Sequence, residues 1–381
     1  MNPAPAQPAQ GELLRRGFTR RSLARFGALL GAGATLPFYN EFALAQLSNI
    51  GRLPPGAVKI NANENPLGPC PEAAEAIHKV VLAGGRYLYE ETSEFARTLA
   101  AQEGVSPQSV RAFAGSSEPL HRAVLAFTSP SRPLVTADPG YEAAARAAQF
   151  VEAPVLKVPL TATFAHDVRA MVQAAPIAGL IYVCNPNNPT GTITPRADLE
   201  WLVANKPAGA IVLIDEAYIH FSEEPAASDF VAKEKDVVIL RTFSKLYGMA
   251  GLRAGAAIGR PDLVQRIANL GAGALPVTGM VGAHASLKSP KLVPERRKIV
   301  KDIREDLFSW MTAKGYQFVP SVSNKFMVDV GRPGGEIVRA MAEKNVYIGR
   351  VWPCWPTKVR VSIGTPEEMA AFKRVFAETV G

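Results

Sequence analysis

Short apolar runs alternate with amphipathic stretches from about residue 105 to 285, and this alternation constrains the fold more than any other feature of the chain. The apolar runs include PLVTA, AGLIYVC, AIVLID and DVVILRT, and amphipathic stretches such as YEAAARAAQF and RADLEWLVANK lie between them. Strands that are apolar on both faces are covered on both faces, which is typical of parallel sheets. We therefore predict an α/β fold whose large domain, residues 71–285, is a mostly parallel sheet sandwiched by helices.

The C-terminal part of the chain has a different organisation. A long charged helix is predicted over residues 291–314, followed by strand patterns in YQFVPS, NKFMVDV and KVRVSIG and by a terminal helix from Pro366. Because strands and helices are segregated here, residues 286–381 are expected to form a smaller α+β domain. Residues 46–70 are rich in Pro, Gly and Asn and are predicted to be an extended arm that joins this small domain together with the first helix.

Residues 1–45 carry the pattern of an export signal. TRRSLARF is followed by the apolar run GALLGAGATLPF and by Ala43, Leu44 and Ala45, a small-x-small cleavage pattern. The pattern predicts a twin-arginine signal peptide, export to the bacterial periplasm and cleavage near Ala45. The alternative is an amphipathic first helix of the mature fold.

Charge and cysteine spacing argue against several classes of partner. Five Arg and two Glu lie in residues 1–45, so their removal lowers the formal charge from +8 to +5, with no stripe of basic and aromatic residues that would indicate nucleic-acid binding. Beyond the signal no apolar run reaches the roughly 18 residues that span a bilayer, so no membrane partner is expected. Cys70, Cys184 and Cys354 are too far apart for a disulfide framework or a paired zinc site, and no metal is predicted.

Two ionisable residues follow predicted strands of the large domain. Asp215 ends AIVLID, and Lys245 lies just beyond DVVILRT. The carboxyl ends of parallel strands are where open α/β sheets bind ligands. A lysine there can form a Schiff base and then transfer protons, and a buried Asp needs a cationic partner such as a protonated ring nitrogen. The alternatives are a solvated lysine and an Asp that caps the following segment, EAYIHF.

An anion-binding site is predicted at another strand-to-helix junction. In GSSEPLHRAV a glycine and the serines Ser116 and Ser117 precede a helix, whose N-terminus attracts phosphate. Arg253, eight residues after Lys245, could donate to the same phosphate, with hydroxyls from Thr242 and Ser244. An ordinary serine N-cap is the alternative.

Further side chains complete the pattern of a pyridoxal-phosphate site. Asn188 and Tyr218 can donate hydrogen bonds to the cofactor's ring oxygen, and Tyr141 can stack on the ring. Arg360 alternates with Val359 and Val361 and can clamp a carboxylate or phosphate, although Tyr141 and Arg360 could also face solvent. An amine, an acid, a ring-oxygen donor and a phosphate-binding cation in one chain predict pyridoxal 5'-phosphate as the cofactor.

These motifs together resemble the fold-type I pyridoxal-phosphate aminotransferases, from about residue 57 to the end of the chain. The segment KINANENPLGPCPEA is similar to the N-terminal segment of histidinol-phosphate aminotransferases, and the other matching motifs are AGSSE, NPNNPTG, DEAY and VRVSIGT. The resemblance implies Lys245 as the Schiff-base lysine. It also implies cofactor contacts from Ser116, Ser117, Tyr141, Asn188, Asp215, Tyr218 and Arg253.

The resemblance also implies substrate and partner contacts. Arg360 matches the arginine that holds the substrate's acidic end, with Arg350 as its helper, and Leu67 stands where the family usually has an aromatic residue that lines the substrate pocket. Tyr87, followed here by Leu88 where the family usually has Pro, matches a tyrosine that is contributed across a homodimer interface to the partner's cofactor phosphate.

The predicted activity is amino-group transfer between an amino acid, or a histidinol-phosphate-like amine, and a 2-oxo acid. Two alternatives stay open at this point. The same cofactor on the same fold supports lyase, decarboxylase and racemase reactions. An exported, non-catalytic binding protein is the other, although Lys245, Asp215 and Asn188 together argue against it.

Overall fold

The computed structural model describes residues 14–19, 21–22, 53–271 and 273–381. Arg20, the apolar run at residues 27–38 and the triplet at residues 43–45, which carry most of the predicted export signal, lie outside the described residues.

A seven-stranded sheet forms the centre of the large domain, and its order is β2-β8-β7-β6-β5-β3-β4. The pairs among β3, β4, β5, β6 and β7 are parallel, whereas β8 runs antiparallel to both β2 and β7. The predicted mostly parallel sheet is therefore confirmed. Its strands are β2 (Val110–Phe113), β3 (Leu134–Asp138), β4 (Val155–Pro159), β5 (Leu180–Cys184), β6 (Ile211–Asp215), β7 (Val237–Thr242) and β8 (Gly255–Gly259).

Helices cover both faces of this sheet. β5, β6 and β7 are buried along their whole length, and their alternate side chains enter two apolar clusters, one on each side of the sheet. This explains why their sequences are continuous apolar runs. Among the described residues between 53 and 290, the α-helices are α1 (Pro71–Val81), α2 (Tyr89–Glu103), α3 (Ser117–Phe127), α4 (Ala143–Phe150), α5 (Val168–Ala174), α6 (Arg196–Asn205), α7 (Ser228–Ala232), α8 (Pro261–Ala268) and α9 (Val277–Leu287).

The C-terminal part contains a four-stranded antiparallel sheet of order β12-β13-β10-β9. Its strands are β9 (Phe318–Val319), β10 (Lys325–Asp329), β12 (Val351–Trp352) and β13 (Trp355–Ser362). Three helices accompany it, namely α10 (Leu292–Ala313), α11 (Gly334–Glu343) and α12 (Pro366–Val380). The predicted α+β organisation is confirmed, and α10 has nearly the predicted bounds.

The arm is tied to this C-terminal part by backbone pairing. Strand β1 (Val58–Ile60) runs parallel to β11 (Val346–Ile348) in a separate two-stranded sheet. The first helix, α1, packs against α9. The arm therefore crosses from the small sheet to the mouth of the large domain, and residues 61–65 lie over the carboxyl ends of the central strands. The domain bounds proposed from the sequence stay a prediction.

Candidate active site

The carboxyl ends of β5, β6 and β7 open into a cleft of about 320 Å³. This is the edge at which the sequence predicted a ligand site. The arm closes the cleft with Ala62 and Glu64. Ten of the residues predicted from the sequence line it: Ser116, Ser117, Tyr141, Asn188, Asp215, Tyr218, Thr242, Ser244, Lys245 and Arg253.

Lys245 is buried where the chain leaves β7. Its side chain crosses the cleft, and Nζ donates a hydrogen bond to the carbonyl oxygen of Ala62, at 3.3 Å. Nζ also lies 5.7 Å from the ring centroid of Tyr218. The amine is therefore inside the cleft and not in solvent, which argues against the simple reading of Lys245 as a solvated strand-end lysine.

Asp215 is buried at the end of β6, and burial raises the pKa of its carboxyl. The Tyr182 hydroxyl donates to Oδ2 at 2.9 Å, and the Ala217 backbone N–H donates to Oδ1 at 3.1 Å; both act against that rise. Burial also raises the pKa of Tyr182 well above its ordinary value, and the Asp215 charge adds to this. The phenol therefore stays protonated and acts as a donor.

Asp215 also contacts the segment that it would cap under the alternative interpretation. The bond from Ala217 N–H is a local cap, but EAYIHF forms only a short 3₁₀ turn at Ile219–Phe221. The cap of this turn accounts for the hydrogen bond that Oδ1 of Asp215 accepts, but not for the burial of the carboxylate in the cleft. A carboxylate buried in a cleft of this size still favours a cationic ligand group, as a pyridinium N–H would be.

The phosphate end of the cleft is formed by the N-terminus of α3 and by Arg253. Nη1 of Arg253 donates to Ser244 Oγ at 3.2 Å and Nη2 donates to the Ala114 carbonyl at 3.0 Å. Gly115 has a φ of +88°, and a Cβ there would lie 2.2 Å from Arg253 Nη2. The glycine thus makes room for the guanidinium directly before Ser116 and Ser117, so the residues fit a phosphate group.

Arg360 lies beside the cleft, on β13. It is fully buried, Nη1 donates to Asn188 Oδ1 at 2.9 Å, and Nη2 donates to the Asn61 carbonyl at 2.7 Å. The alternation with Val359 and Val361 predicted that Arg360 faces away from the apolar core, and both valines indeed enter that core. A guanidinium held next to Asn188 is placed to receive the acidic end of a substrate.

Besides Arg360, three more of the predicted residues do not line this cleft. Arg350 forms a bidentate ion pair with Glu142, at 2.5 and 2.7 Å, and its guanidinium carbon lies 4.1 Å from the ring centroid of Trp352. Leu67 lines a separate groove with Ile299 and Ile303. Tyr87 is 70% exposed, and its ring stacks on Tyr89 with a centroid distance of 5.4 Å.

Several contacts of the site were missed in the sequence analysis. Asn63 Nδ2 donates to the Tyr218 hydroxyl at 3.0 Å, Tyr182 contacts Asp215, and the Lys325 ammonium lies on the face of Tyr218. Tyr182 and Lys325 were detectable in principle, because a tyrosine hydroxyl in IYVC and a lysine in NKFMV are polar groups in apolar strands and need partners. Asn63 carried no such signal, since asparagines are common in extended arms.

The described ranges hold neither a metal-binding cluster nor a membrane-spanning helix. No group of three or more His, Cys, Asp or Glu side chains there could hold a metal ion. No helix within the same ranges is both long and apolar enough to cross a membrane.

Comparison with known proteins gives a consistent result. Residues 55–375 match the family described as aminotransferase class I and II. The chain is 33% identical to a histidinol-phosphate aminotransferase of Moorella thermoacetica over 332 residues, which are 84% of this chain and 85% of that protein. It is 34% identical to an aromatic amino acid aminotransferase of Nocardia farcinica over 339 residues, 86% of this chain and 93% of that protein.

The fold also matches solved structures. The histidinol-phosphate aminotransferase of Sinorhizobium meliloti, solved in complex with pyridoxal-5'-phosphate, superposes with a TM-score of 0.79 at 24% identity. The match covers 91% of this chain and 95% of that one. At this level of identity the likeness supports the shared fold.

Proposed function

Because this chain belongs to the aminotransferase class I and II family and is therefore a pyridoxal-phosphate-dependent aminotransferase, we propose that its amino donor is an amino acid with an aromatic or imidazole side chain. The acceptor is a 2-oxo acid. Relatives at 34% identity that are named aromatic amino acid aminotransferases support the side-chain class. The preference for a donor with a carboxylate over one with a phosphate rests on how the two candidate arginines are paired.

The two arginines offer positive charge to a substrate unequally. Arg350 is held by both carboxylate oxygens of Glu142, and such bidentate pairs are among the stronger charge-assisted contacts. Arg360 instead donates to the neutral oxygens of Asn188 and Asn61. With Arg350 engaged by Glu142, Arg360 is the guanidinium beside the cleft, and a single guanidinium suits one substrate carboxylate better than a doubly charged phosphate. This ion pair is the observation that carries the proposal.

The site residues have separate tasks in the reaction. Pyridoxal phosphate, when bound, supplies the electron sink for the substrate carbanion. Arg253, Ser116 and Ser117 hold its phosphate, and Asp215 keeps its ring nitrogen protonated. Lys245 Nζ moves the proton from the substrate's α-carbon, and the arm residue Ala62 limits the access of water to that amine.

Histidinol phosphate is the second candidate donor. Relatives at 33% identity carry that name, and the NENP segment of the arm resembles theirs. A panel of amino donors, followed by the conversion of the bound cofactor's visible band to that of its amine form, separates the two. We expect aromatic amino acids or histidine to have a kcat/KM at least about tenfold above that of histidinol phosphate, or about 1.4 kcal/mol. A preference for histidinol phosphate would overturn the substrate proposal and leave the family assignment intact.

The Glu142→Gln variant tests the role of the ion pair. Without the carboxylate, Arg350 can turn to a second anion, so the KM for histidinol phosphate should fall while that for an aromatic amino acid changes little. Glu305→Gln is the matched control, because Glu305 also pairs with an arginine, Arg304, on α10. An unchanged KM ratio in Glu142→Gln would contradict the specificity role of Glu142.

We also propose a homodimer in which Tyr87 completes the neighbouring site. Tyr87 and Tyr89 are 70% and 62% exposed, and Leu82 is 92% exposed, so this segment presents apolar and aromatic surface to solvent. Exposed patches of this kind mark interaction surfaces. Light scattering should give twice the chain mass, and Tyr87→Ala should weaken binding of pyridoxal phosphate. A fully active monomer would contradict the proposal.

Export by the twin-arginine route is the last part of the proposed function. Among the described residues of this segment, Ser22 Oγ donates to Glu152 Oε2 at 2.6 Å and Arg16 Nη2 donates to the Thr128 carbonyl at 2.9 Å. Such contacts would have to open before an export machinery could bind the segment.

Changing Arg20 and Arg21 to Lys should leave active, full-length protein in the cytoplasm. The unaltered protein should be found in the periplasm with an N-terminus near Gln46. A periplasmic or cytoplasmic enzyme that still begins at Met1 in the wild type would favour the alternative, that the segment remains a helix of the fold.

A further inference from the structure

Lys325 is a buried lysine that the reaction described above does not use. It is the first residue of β10, its relative exposure is 0%, and it pairs in register with Ser362 on β13. Its Nζ donates to Ser323 Oγ at 3.0 Å. An ammonium group loses much hydration free energy when it is buried, so its position needs a compensating interaction.

The ring of Tyr218 provides such an interaction. Lys325 Nζ lies 3.1 Å from the ring centroid, well inside the range of a cation–π contact, and desolvated contacts of this kind are the stronger ones. Lys245 Nζ lies 5.7 Å from the same centroid. Two amines therefore face one phenol ring, whose hydroxyl is held in place by Asn63 Nδ2 at 3.0 Å.

We propose that Lys325 is a positioning residue for the cofactor site, which fixes the ring of Tyr218 and supplies a resident positive charge on the phenol ring that Lys245 also approaches. A cation on the ring face favours the phenolate over the phenol, and this makes the Tyr218 hydroxyl a stronger donor toward the cofactor's ring oxygen. The same charge disfavours a second positive charge on the Lys245 nitrogen when that nitrogen is bonded to the cofactor.

Other ionisable groups line the same cleft or contact residues that line it, and the Lys325 charge acts together with them. These are Asp215, Tyr182 and Cys184 from β5 and β6, Tyr141 and Arg253 from the phosphate end, Arg360 from β13 and Glu64 from the arm. The positive charge of Lys325 also acts on Asp215, at the end of β6 in the central sheet. It counteracts part of the rise that burial causes in the pKa of Asp215. Burial also raises the pKa of the Cys184 thiol, and Lys325 again acts against the rise.

The expected consequence is a low pKa for the Lys245 nitrogen in the loaded enzyme. We would measure the visible absorption of the bound cofactor across a pH series and take the midpoint of the spectral change. In Lys325→Met and Lys325→Gln the midpoint should rise by about one pH unit, a tenfold change in proton affinity. In Lys325→Arg, which keeps the charge, it should stay close to the wild-type value.

Lys358→Met is the matched control. Lys358 also lies in the small sheet, on β13, but its ammonium pairs with Asp329 at 2.6 Å. Removing this positive charge should leave the midpoint unchanged. A midpoint that moves equally in the Met, Gln and Arg variants of Lys325 would show that packing, not charge, is responsible, and would overturn the proposal.

A double-mutant cycle with Tyr218→Phe tests the path of the effect. If Lys325 acts partly through the Tyr218 hydroxyl, the shift caused by Lys325→Gln should be smaller in the Phe background. The inference rests on the cofactor being bound at Lys245. A wild-type protein that binds no pyridoxal phosphate would overturn both the cofactor assignment and the role of Lys325. A loaded enzyme with unchanged midpoints in the Met and Gln variants would overturn only the role of Lys325.

Discussion

At the scale of single residues, Asp215 shows how burial and hydrogen bonding act together in this site. Its carboxylate is 3% exposed and keeps two donors, the Tyr182 hydroxyl and the Ala217 N–H. Burial alone would favour the neutral acid, while the two donors and the amines of Lys245 and Lys325 favour the anion. Asp215 would hold a pyridinium N–H if the cofactor were bound there, and each group would then stabilise the charged form of the other.

Replacing Asp215 by Ala should abolish amino-group transfer. The ring nitrogen would lose its anionic partner, and we expect the single-turnover rate with an aromatic donor to fall at least about a hundredfold, or about 2.7 kcal/mol in barrier. The Tyr182 hydroxyl would also lose its acceptor, which should destabilise the fold by about 1–3 kcal/mol. Rapid-mixing absorbance and urea unfolding measure the two effects.

Asp302→Asn is the control for this change, because Asp302 is an exposed partner of Lys298 on α10. It should leave both quantities near their wild-type values. Activity of Asp215→Ala within about tenfold of wild type, about 1.4 kcal/mol, would mean that Asp215 is only a local cap.

At the scale of secondary-structure elements, the junction between β2 and α3 determines the phosphate end of the site. The chain turns at Gly115, and the first turn of α3 then presents its backbone N–H groups next to Arg253. Arg253 itself has a φ of 58°, an uncommon value for a residue with a side chain. Its guanidinium is tied to the Ala114 carbonyl and to Ser244, so two segments far apart in the sequence meet around one anion site.

Gly115→Ala should weaken cofactor binding. The new Cβ would collide with Arg253 Nη2, at 2.2 Å, and would be added at a φ of +88°. We expect the Kd of the apo protein for pyridoxal phosphate, measured by fluorescence quenching, to rise at least about tenfold, or about 1.4 kcal/mol.

Gly104→Ala separates the collision from the backbone strain. Gly104 also has a positive φ, +66°, but a Cβ there would meet nothing within 4 Å. This variant should lose about 1 kcal/mol of stability, as non-glycine residues do in the left-handed region, and keep its cofactor affinity. Equal affinities for pyridoxal phosphate in the two variants would contradict the claim that Gly115 makes room for the Arg253 guanidinium.

At the scale of the whole molecule, polar groups buried outside the cleft tie its parts together. Arg241 on β7 is 2% exposed and forms ion pairs with Glu103 of α2 and with Glu216, the residue after Asp215. Burial raises the pKa of Glu103, but the charge and hydrogen bonds of Arg241 hold it, on balance, below its ordinary value. This network connects a covering helix to the strand that carries Asp215.

The buried His166 makes the stability of the whole chain depend on pH. Burial lowers its pKa to about 4, and its Nδ1 lies 2.9 Å from Thr194 Oγ1. In the unfolded chain a histidine titrates near about 6.5. Between these values the unfolded state binds a proton that the folded state does not, so the free energy of unfolding falls as the pH is lowered through this window.

Urea unfolding of the apo protein should therefore reveal His166 between pH 6.5 and 5. Its contribution to the free energy of unfolding should fall by about 1.6 kcal/mol over this interval, because the slope approaches 1.36 kcal/mol per pH unit only below the pKa of the unfolded histidine. His166→Gln should flatten the pH dependence by that amount. A His166→Gln curve parallel to the wild type would contradict this assignment.

The sequence alone determined the local features of this protein, because they depend on nearest neighbours. Apolar runs without alternation predicted the buried parallel strands, and the positions of Asp215, Lys245 and Ser116 at strand ends predicted where ligand groups gather. A serine before a helix can bind an anion and a lysine after a strand can bind a ligand, and both positions are recognisable from neighbouring residues alone. Because the carboxyl ends of the parallel strands lie at one edge of the sheet, ten predicted residues meet in one cleft.

Only the tertiary structure decided which distant groups modify those residues. The pairing of Arg350 with Glu142, of Tyr218 with Asn63 and of Lys325 with the Tyr218 ring joins positions 100 or more residues apart. Contacts of this kind follow from how the arm, the small sheet and the central sheet pack, and no local periodicity encodes them. The charge balance of the site is therefore set by packing, since Coulomb and cation–π energies depend on distances that only the folded chain fixes.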